Sequence, residues 1–163
     1  ESTAYRTSMK NRIKIKSDWS AYENKKTDTT QEGLESQISW LGNQQSLSLV
    51  THFAKSRTAT GGPNSRRPDL SYGVDYYKKF ELKKYGPFEL NLSHRYIGNH
   101  IDWTGSKNEF VKSINLVDMS IRKDFFGSVL SFNLTNLLNE RYEKPATYSQ
   151  DGRQLSIGFR KEY

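Results

Sequence analysis

The stretch RQLSIGFRKEY, residues 153–163, alternates apolar with polar or small side chains, except that Lys161 takes an apolar position near its end. Leu155, Ile157 and Phe159 occupy every second position. A two-residue period is the spacing at which side chains share one face of a β-strand. The sequence therefore predicts a final strand with one apolar face.

The same alternation recurs along the chain and predicts eight strands, which makes the protein all-β. We place them at residues 4–16, 31–41, 46–55, 70–83, 88–97, 115–125, 128–135 and 153–163. Alternation by itself fits a two-sheet sandwich as well as a single-sheet barrel, because the strands of both have one apolar and one polar face.

The lengths of the connections separate these two folds. Three short connections alternate with four long ones: short at residues 42–44, 84–87 and 126–127, and long at 17–30, 56–69, 98–114 and 136–152. In an up-and-down sheet, tight turns then lie at one end and long loops at the other. Outer-membrane barrels are built in this way. We therefore expect an antiparallel up-and-down transmembrane β-barrel of about eight strands.

The composition agrees with strands that keep one face in water. The 163 residues are 34% hydrophobic and 13% aromatic. No apolar run reaches the roughly 18 residues of a transmembrane helix, which excludes a helical membrane protein but not a barrel. There is no cysteine, so disulfides and thiol nucleophiles are excluded. The net charge of +7 comes from scattered residues rather than a basic stripe, so we expect no nucleic-acid partner.

The sequence carries no recognisable catalytic motif. His52, His94 and His100 lack the spacing of metal ligands. Neither a phosphate-binding loop nor a nucleophile elbow is present, and no paired carboxylates stand out. We therefore expect neither an enzyme nor a cofactor.

Aromatic residues gather near the predicted tight turns: Trp40, Phe80, Tyr85, Phe88, Phe125, Phe126 and Tyr163. Membrane barrels carry such rings where headgroups meet hydrocarbon. The last strand of a barrel must also pair, which removes the edge of the sheet. Leu155, Ile157, Phe159 and Tyr163 would then face lipid, and Lys161 near the strand end could extend its ammonium to the headgroups.

The C-terminal stretch SVLSFNLTNLLNERYEKPATYSQDGRQLSIGFRKEY contains Asn136-Leu137, Tyr142, Gly152-Arg153 and the terminal Tyr163. This order resembles the end of TonB-dependent outer-membrane receptors, whose usual last residue is Phe. Looser matches are Gly33, Leu34 and Glu35 after Asn24, Arg67-Pro68, and Tyr96, Gly98 and Asp102. The resemblance covers nearly the whole chain and is greatest to the vitamin B12 and siderophore transporters.

The resemblance implies a barrel of 22 strands with an N-terminal plug domain. Residues 1–163 would form its C-terminal third, with the plug, the TonB box and the earlier strands upstream. The protein would lie in the outer membrane of a Gram-negative bacterium, in contact with lipid and lipopolysaccharide. The barrel-assembly machinery would insert it by recognising the final strand, through Leu155, Ile157, Phe159 and Tyr163.

The resemblance also implies active uptake of a ferric siderophore, cobalamin or a similar scarce nutrient, driven by the TonB complex through the plug. The long loops would bind this small-molecule ligand through Arg57, Arg66, Arg67, His100, Asp102, Trp103, Tyr142 and Tyr148. The polar strand face would line the lumen with Asp75, Arg95, Asp118 and Arg122. Two alternatives stay open: a self-contained eight-stranded barrel acting as an adhesin or anchor, and a soluble basic β-domain that binds single-stranded nucleic acid.

Overall fold

A computed structural model of the chain describes residues 1–10, 12–16, 18–25, 29–58 and 60–161. Their regular structure consists of twelve strands. These are β1 (Ser2–Met9), β2 (Arg12–Ile15), β3 (Tyr22–Lys25), β4 (Thr29–Leu41), β5 (Gln45–Thr58), β6 (Leu70–Leu82), β7 (Gly86–Ile97), β8 (His100–Trp103), β9 (Asn108–Val111), β10 (Ile114–Phe125), β11 (Ser128–Thr135) and β12 (Gln154–Lys161). No helix long and apolar enough to cross a membrane occurs in these residues.

Eight strands form one antiparallel sheet in the order β1-β4-β5-β6-β7-β10-β11-β12. The hairpins β2–β3 and β8–β9 are inserted into two of the long connections. The predicted all-β, up-and-down antiparallel architecture is therefore confirmed. Strands β1 and β12 are the edges of the sheet, and no pairing joins them among the described residues.

The register of the strands places their apolar side chains on one face, called here the apolar face. One row of cross-strand neighbours on it runs through Trp40, Leu47, Tyr76, Leu92, Met119, Leu134 and Leu155. A shift of one residue in any strand would move its apolar side chains to the opposite, polar face. The alternation of the sequence therefore specifies the register.

Neither face of the sheet is covered by a second layer. Only four hydrophobic residues of the described chain are buried, namely Ala54, Val111, Ile114 and Ala146, and none comes from the middle of the apolar face. Ile157 and Phe159 on that face are each 69% exposed. A sandwich would bury its apolar face between two sheets, so the structure is a single sheet rather than a sandwich.

The predicted first strand, residues 4–16, is divided in the described residues into two strands, β1 and β2. Strand β1 ends at Met9, which pairs with Thr29, the first residue of β4. Residues 12–15 pair with residues 22–25 of the same connection, in a separate two-stranded sheet. Ile13, expected on the apolar face of the sheet, therefore lies in the small hairpin β2–β3.

The predicted sorting of the connections is confirmed. The tight turns at residues 42–44, 83–85 and 126–127 lie at one end of the sheet, and the four long connections lie at the other. Phe126 and Gly127 both have positive φ, 47° and 71°, as a two-residue turn matched to strand twist requires. Tyr163, predicted as the terminal aromatic residue, lies outside the described residues.

Gly33 on β4 makes room for the ring of Tyr5, its direct cross-strand partner. A Cβ atom at Gly33 would lie 2.5 Å from the carbonyl oxygen of Phe53 and 2.8 Å from the tyrosine hydroxyl. We expect Gly33→Ala to destabilise the folded sheet by about 1–3 kcal/mol through overpacking. The urea midpoint of the full-length protein in detergent measures this.

The matched control for this change is Gly62→Ala in the connection between β5 and β6. A Cβ atom there meets only the Thr58 hydroxyl oxygen, at 3.6 Å, which is an ordinary contact. Equal urea midpoints for the two variants would contradict the predicted steric role of Gly33.

Candidate functional site at the long-loop end

The four residues predicted to line a lumen share the polar face of the sheet. Asp75 and Asp118 both lie opposite Ser93, from the two neighbouring strands. Asp118 Oδ2 accepts a hydrogen bond of 2.7 Å from the guanidinium of Arg95. The Arg122 guanidinium lies 3.8 Å from the carboxylate of Glu89. Three of the four side chains, Arg95, Asp118 and Arg122, thus have partners on a neighbouring strand, and the contact of all four with a lumen or a plug stays a prediction.

Asn136 fixes the start of the last long connection, residues 136–153. It is buried and has a φ of 50°, which asparagine tolerates better than most residues. Its backbone N–H donates to Asp118 Oδ1 at 2.8 Å. Its side-chain amide exchanges two hydrogen bonds with the backbone of Glu140 and donates to the carbonyl of Asp151 at 3.3 Å.

Asn139 fixes the other end of the same connection. Its side-chain oxygen accepts the backbone N–H of Arg153 at 3.0 Å, immediately before β12. A Cβ atom at Gly152 would lie 2.8 Å from that oxygen, so a larger residue there would displace the Asn139 side chain from this position. The motif that carried the family resemblance thus has a local physical basis, since Asn136 and Gly152 shape the entry into the final strand.

A buried carboxylate joins three of the long connections. Asp102, in the β8–β9 hairpin, is 1% exposed. Its Oδ1 accepts from Arg66 Nε at 2.5 Å and from the Ser65 hydroxyl at 3.4 Å, both in residues 59–69. Its Oδ2 accepts the backbone N–H of Ala146, in residues 136–153, at 2.9 Å. We call Ser65, Arg66, Asp102 and Ala146 the loop clasp.

The hydrogen bonds of the loop clasp keep Asp102 ionised. Burial alone would raise the pKa of this carboxyl, because the charged form loses its hydration. The N–H of Ala146 and the guanidinium of Arg66 outweigh that effect and hold the pKa of Asp102 below its ordinary value. A buried charge of this kind is stable only while its partners stay in place, so the three connections are expected to keep one arrangement.

The loop clasp brings several of the predicted ligand-binding residues into neighbouring segments. Arg66 and Asp102 belong to it, and the backbone N–H of Trp103 donates to the Ser65 hydroxyl at 2.9 Å. Arg67 is exposed next to Arg66. The rings of Trp103 and Tyr148 are 50% and 65% exposed, and Tyr148 follows the clasp residue Ala146 by two positions.

The remaining predicted ligand-binding residues lie apart from the loop clasp or have other partners. Arg57 makes a bidentate ion pair with Asp69, with N–O distances of 3.2 and 3.0 Å. This pair joins the two ends of the β5–β6 connection. His100 Nδ1 lies 3.1 Å from the carbonyl oxygen of Gly98. Tyr142 lines an open cavity of about 850 Å³ together with Phe110 and Lys112. Ligand binding by all eight residues stays a prediction.

The sequence analysis did not find Ser65, Ala146 or a polar cluster at the edge of the sheet. In that cluster His52 Nε2 lies 3.0 Å from the Tyr5 hydroxyl and 3.3 Å from Glu35 Oε1. Only the cross-strand register reveals it, because the three residues belong to different strands. Within the described ranges, no three His, Asp or Glu side chains converge on a site for a metal ion.

Comparison with known proteins shows what this architecture is similar to. No protein-family model matches the chain, and no curated protein matches it by sequence. Among solved structures, the ferric yersiniabactin uptake receptor FyuA of Yersinia pestis matches 99% of the chain with a TM-score of 0.83 and 16% identity. The fold is that of the barrel of TonB-dependent receptors.

Two further receptor structures agree. The outer-membrane ferripyoverdine receptor of Pseudomonas aeruginosa matches 98% of the chain with a TM-score of 0.79 and 16% identity. The FrpB iron transporter of Neisseria meningitidis matches 98% with a TM-score of 0.74 and 12% identity. The chain spans 27%, 24% and 28% of these three proteins, about a quarter of each. At such identities the likeness shows the fold alone.

We expect Asp102→Asn to loosen all three connections of the loop clasp together. The amide keeps the size of the carboxylate but loses its charge, and its NH2 group cannot accept a hydrogen bond from Arg66 or Ala146. Hydrogen exchange in the full-length protein should become faster in residues 59–69, in β8–β9 and in residues 136–153.

The control variant for the loop clasp is Glu109→Gln. It removes an ion pair with Lys107, 2.6 Å long, that lies entirely within the β8–β9 hairpin. Surface pairs of this kind contribute little, so exchange in the other two connections should stay unchanged. If Asp102→Asn changes exchange only in the β8–β9 hairpin, the loop clasp does not couple the three connections.

Proposed function

We propose that the chain forms part of the barrel wall of a TonB-dependent outer-membrane receptor that takes up a ferric siderophore or a similarly scarce nutrient. The observation that carries this proposal is the one-sided eight-stranded sheet, which matches the ferric yersiniabactin receptor over 99% of the chain. Residues 1–163 would form one barrel segment, and the plug would belong to the rest of the protein.

The uncovered apolar face supports a position in a membrane. Leu47, Phe53 and Leu155 on it are between 43% and 58% exposed. A continuous apolar surface of this size would promote aggregation in water. In an outer membrane the lipid tails would cover it, while the polar face would meet the water and the plug inside the barrel.

The edges of the sheet support a segment of a larger barrel rather than a self-contained one. An eight-stranded barrel would need hydrogen bonds between β1 and β12, and the described strands form none. The remaining strands of a larger barrel would supply the partners of both edges. Iron transport, rather than cobalamin transport, is the activity named for the matched structures, and we carry it to this chain as the first nutrient to test.

In this proposal the long loops lie outside the cell and the loop clasp holds them in place. Arg67, Trp103 and Tyr148 would present a cation and two rings to an anionic or aromatic ligand. TonB would act through the plug. The assembly machinery would recognise the final strand, whose Leu155, Ile157 and Phe159 lie on the apolar face.

Deletion of the encoding gene in its own bacterium tests the proposal. Under iron limitation, uptake of radioactive iron from ferric siderophores should fall and should return when the intact gene is supplied. Trp103→Ala in the restoring gene should raise the half-saturating ligand concentration about tenfold, as for a central aromatic contact. Lys107→Ala at the tip of the same hairpin is the control and should leave it unchanged.

One outcome would contradict siderophore uptake, and a second would change only the nutrient. Iron uptake that is unaffected by the deletion, for every siderophore that the bacterium uses, would exclude siderophore transport. A loss of cobalamin uptake in the same strain would instead keep the transporter and change its nutrient.

A further inference from the structure

Over most of the apolar face, the charged side chains are positive. From the row of Leu34, Phe53 and Leu70 down to the tight turns, the strands of the sheet carry no Asp or Glu on this face. The Lys and Arg residues there are three lysines: Lys78, Lys123 and Lys161. All three lie at the end with the tight turns.

Each of these lysines lies beside a different tight turn. Lys78 is paired with Gln45, which directly follows the turn at residues 42–44. The ammonium of Lys123 donates to the carbonyl of Tyr85, within the turn at residues 83–85. Lys161 is paired with Ser128, which directly follows the turn at residues 126–127. The three residues therefore follow the rim of the sheet from strand to strand, and we call them the lysine rim.

Aromatic rings accompany the lysine rim on the same border. The Lys123 ammonium lies 4.5 Å from the centroid of the Phe88 ring, which stacks on Phe80 with a centroid separation of 5.6 Å. Phe125 and Phe126 form an edge-to-face pair beside the third turn. Lysines and aromatic rings on a lipid-facing surface adopt this arrangement at headgroup depth, where the chain of the lysine stays apolar and its ammonium reaches phosphate and water.

Two acidic residues of the strands at this end, Glu81 and Asp124, lie on the polar face. Glu81 alternates with Phe80 and Leu82, and Asp124 alternates with Lys123 and Phe125. Two further lysines, Lys83 and Lys84, belong to the middle turn. The border of the apolar face is thus cationic, and its charge complements an anionic surface.

We propose that the lysine rim binds the anionic headgroups of phospholipids in the leaflet that surrounds the tight turns. This inference rests on the proposed function, because that function places the apolar face in a membrane. The phosphate of phosphatidylglycerol would accept hydrogen bonds from the ammonium groups, while its acyl chains cover the apolar face. Each lysine near an anionic membrane surface should strengthen lipid retention about fivefold.

The chain offers a matched control for every residue of the lysine rim. Lys79, Arg122 and Arg160 are direct sequence neighbours of the three lysines and lie on the opposite, polar face. The variant K78Q/K123Q/K161Q and the variant K79Q/R122Q/R160Q therefore remove the same charge at the same depth. One variant removes the charge from the apolar face, and the other removes it from the polar face.

The test uses the full-length gene product, purified from vesicles of phosphatidylcholine with phosphatidylglycerol. Native mass spectrometry counts the phosphatidylglycerol molecules that stay bound. The unaltered protein and the polar-face variant should retain them, and the lysine-rim variant should lose most of them while keeping its phosphatidylcholine. If the triple variant does not fold, as judged by its electrophoretic shift on heating, K78Q, K123Q and K161Q are measured singly and each should lower retention.

Equal retention of phosphatidylglycerol by both triple variants, or an equal loss from both, would overturn the inference. It would leave the proposed transporter intact, since uptake is measured separately. A protein that retains no phospholipid of either kind would instead contradict its position in a membrane, and with it the proposed function.

Discussion

The two-residue alternation of side chains, held in register by backbone hydrogen bonds across eight strands, is the constraint on which the rest of the structure depends. The apolar side chains of every strand must point to the same face as those of its neighbours. A strand shifted by one residue would place apolar groups among the charges of the polar face. The result is a sheet without a conventional core, in which Leu47 and Leu155 remain exposed. Such a sheet needs an apolar medium on one side, which the proposed position in an outer membrane would supply.

The end of the sheet with the long loops is held differently, because hydrogen bonds of a few buried polar groups fix the loops there. Asp102 holds three connections by accepting hydrogen bonds from each of the other two. Asn136 ties the last connection to Asp118 on the polar face, and Asn139 aligns the entry into β12. A sheet open on both faces thus acquires an ordered end where ligand recognition is proposed, while its opposite end carries the lysine rim.

The sequence analysis predicted what depends on local periodicity. Seven of the eight strands were placed to within a few residues, and the sorting of short and long connections gave the up-and-down order. The first predicted strand spans both β1 and β2, because the change of pairing partner from β4 to β3 is not encoded in the periodicity. The roles of Asp102 and Ala146 depend on contacts between residues 44 positions apart, so neither motif nor spacing could reveal them. Asn136 was recognisable only through the family resemblance.

The most direct test of the account is to determine which medium each face of β6 meets. Residues 1–163 contain no cysteine, so single cysteines introduced at Gly73, Val74, Asp75 and Tyr76 can each carry a fluorophore in vesicles, in a full-length protein from which any other cysteine has been removed. Brominated lipid tails should quench the probes at positions 74 and 76, and a water-soluble quencher should reach those at 73 and 75. Quenching that does not alternate along β6, or lipid quenching at positions 73 and 75 instead of 74 and 76, would contradict a sheet whose apolar face lies against lipid.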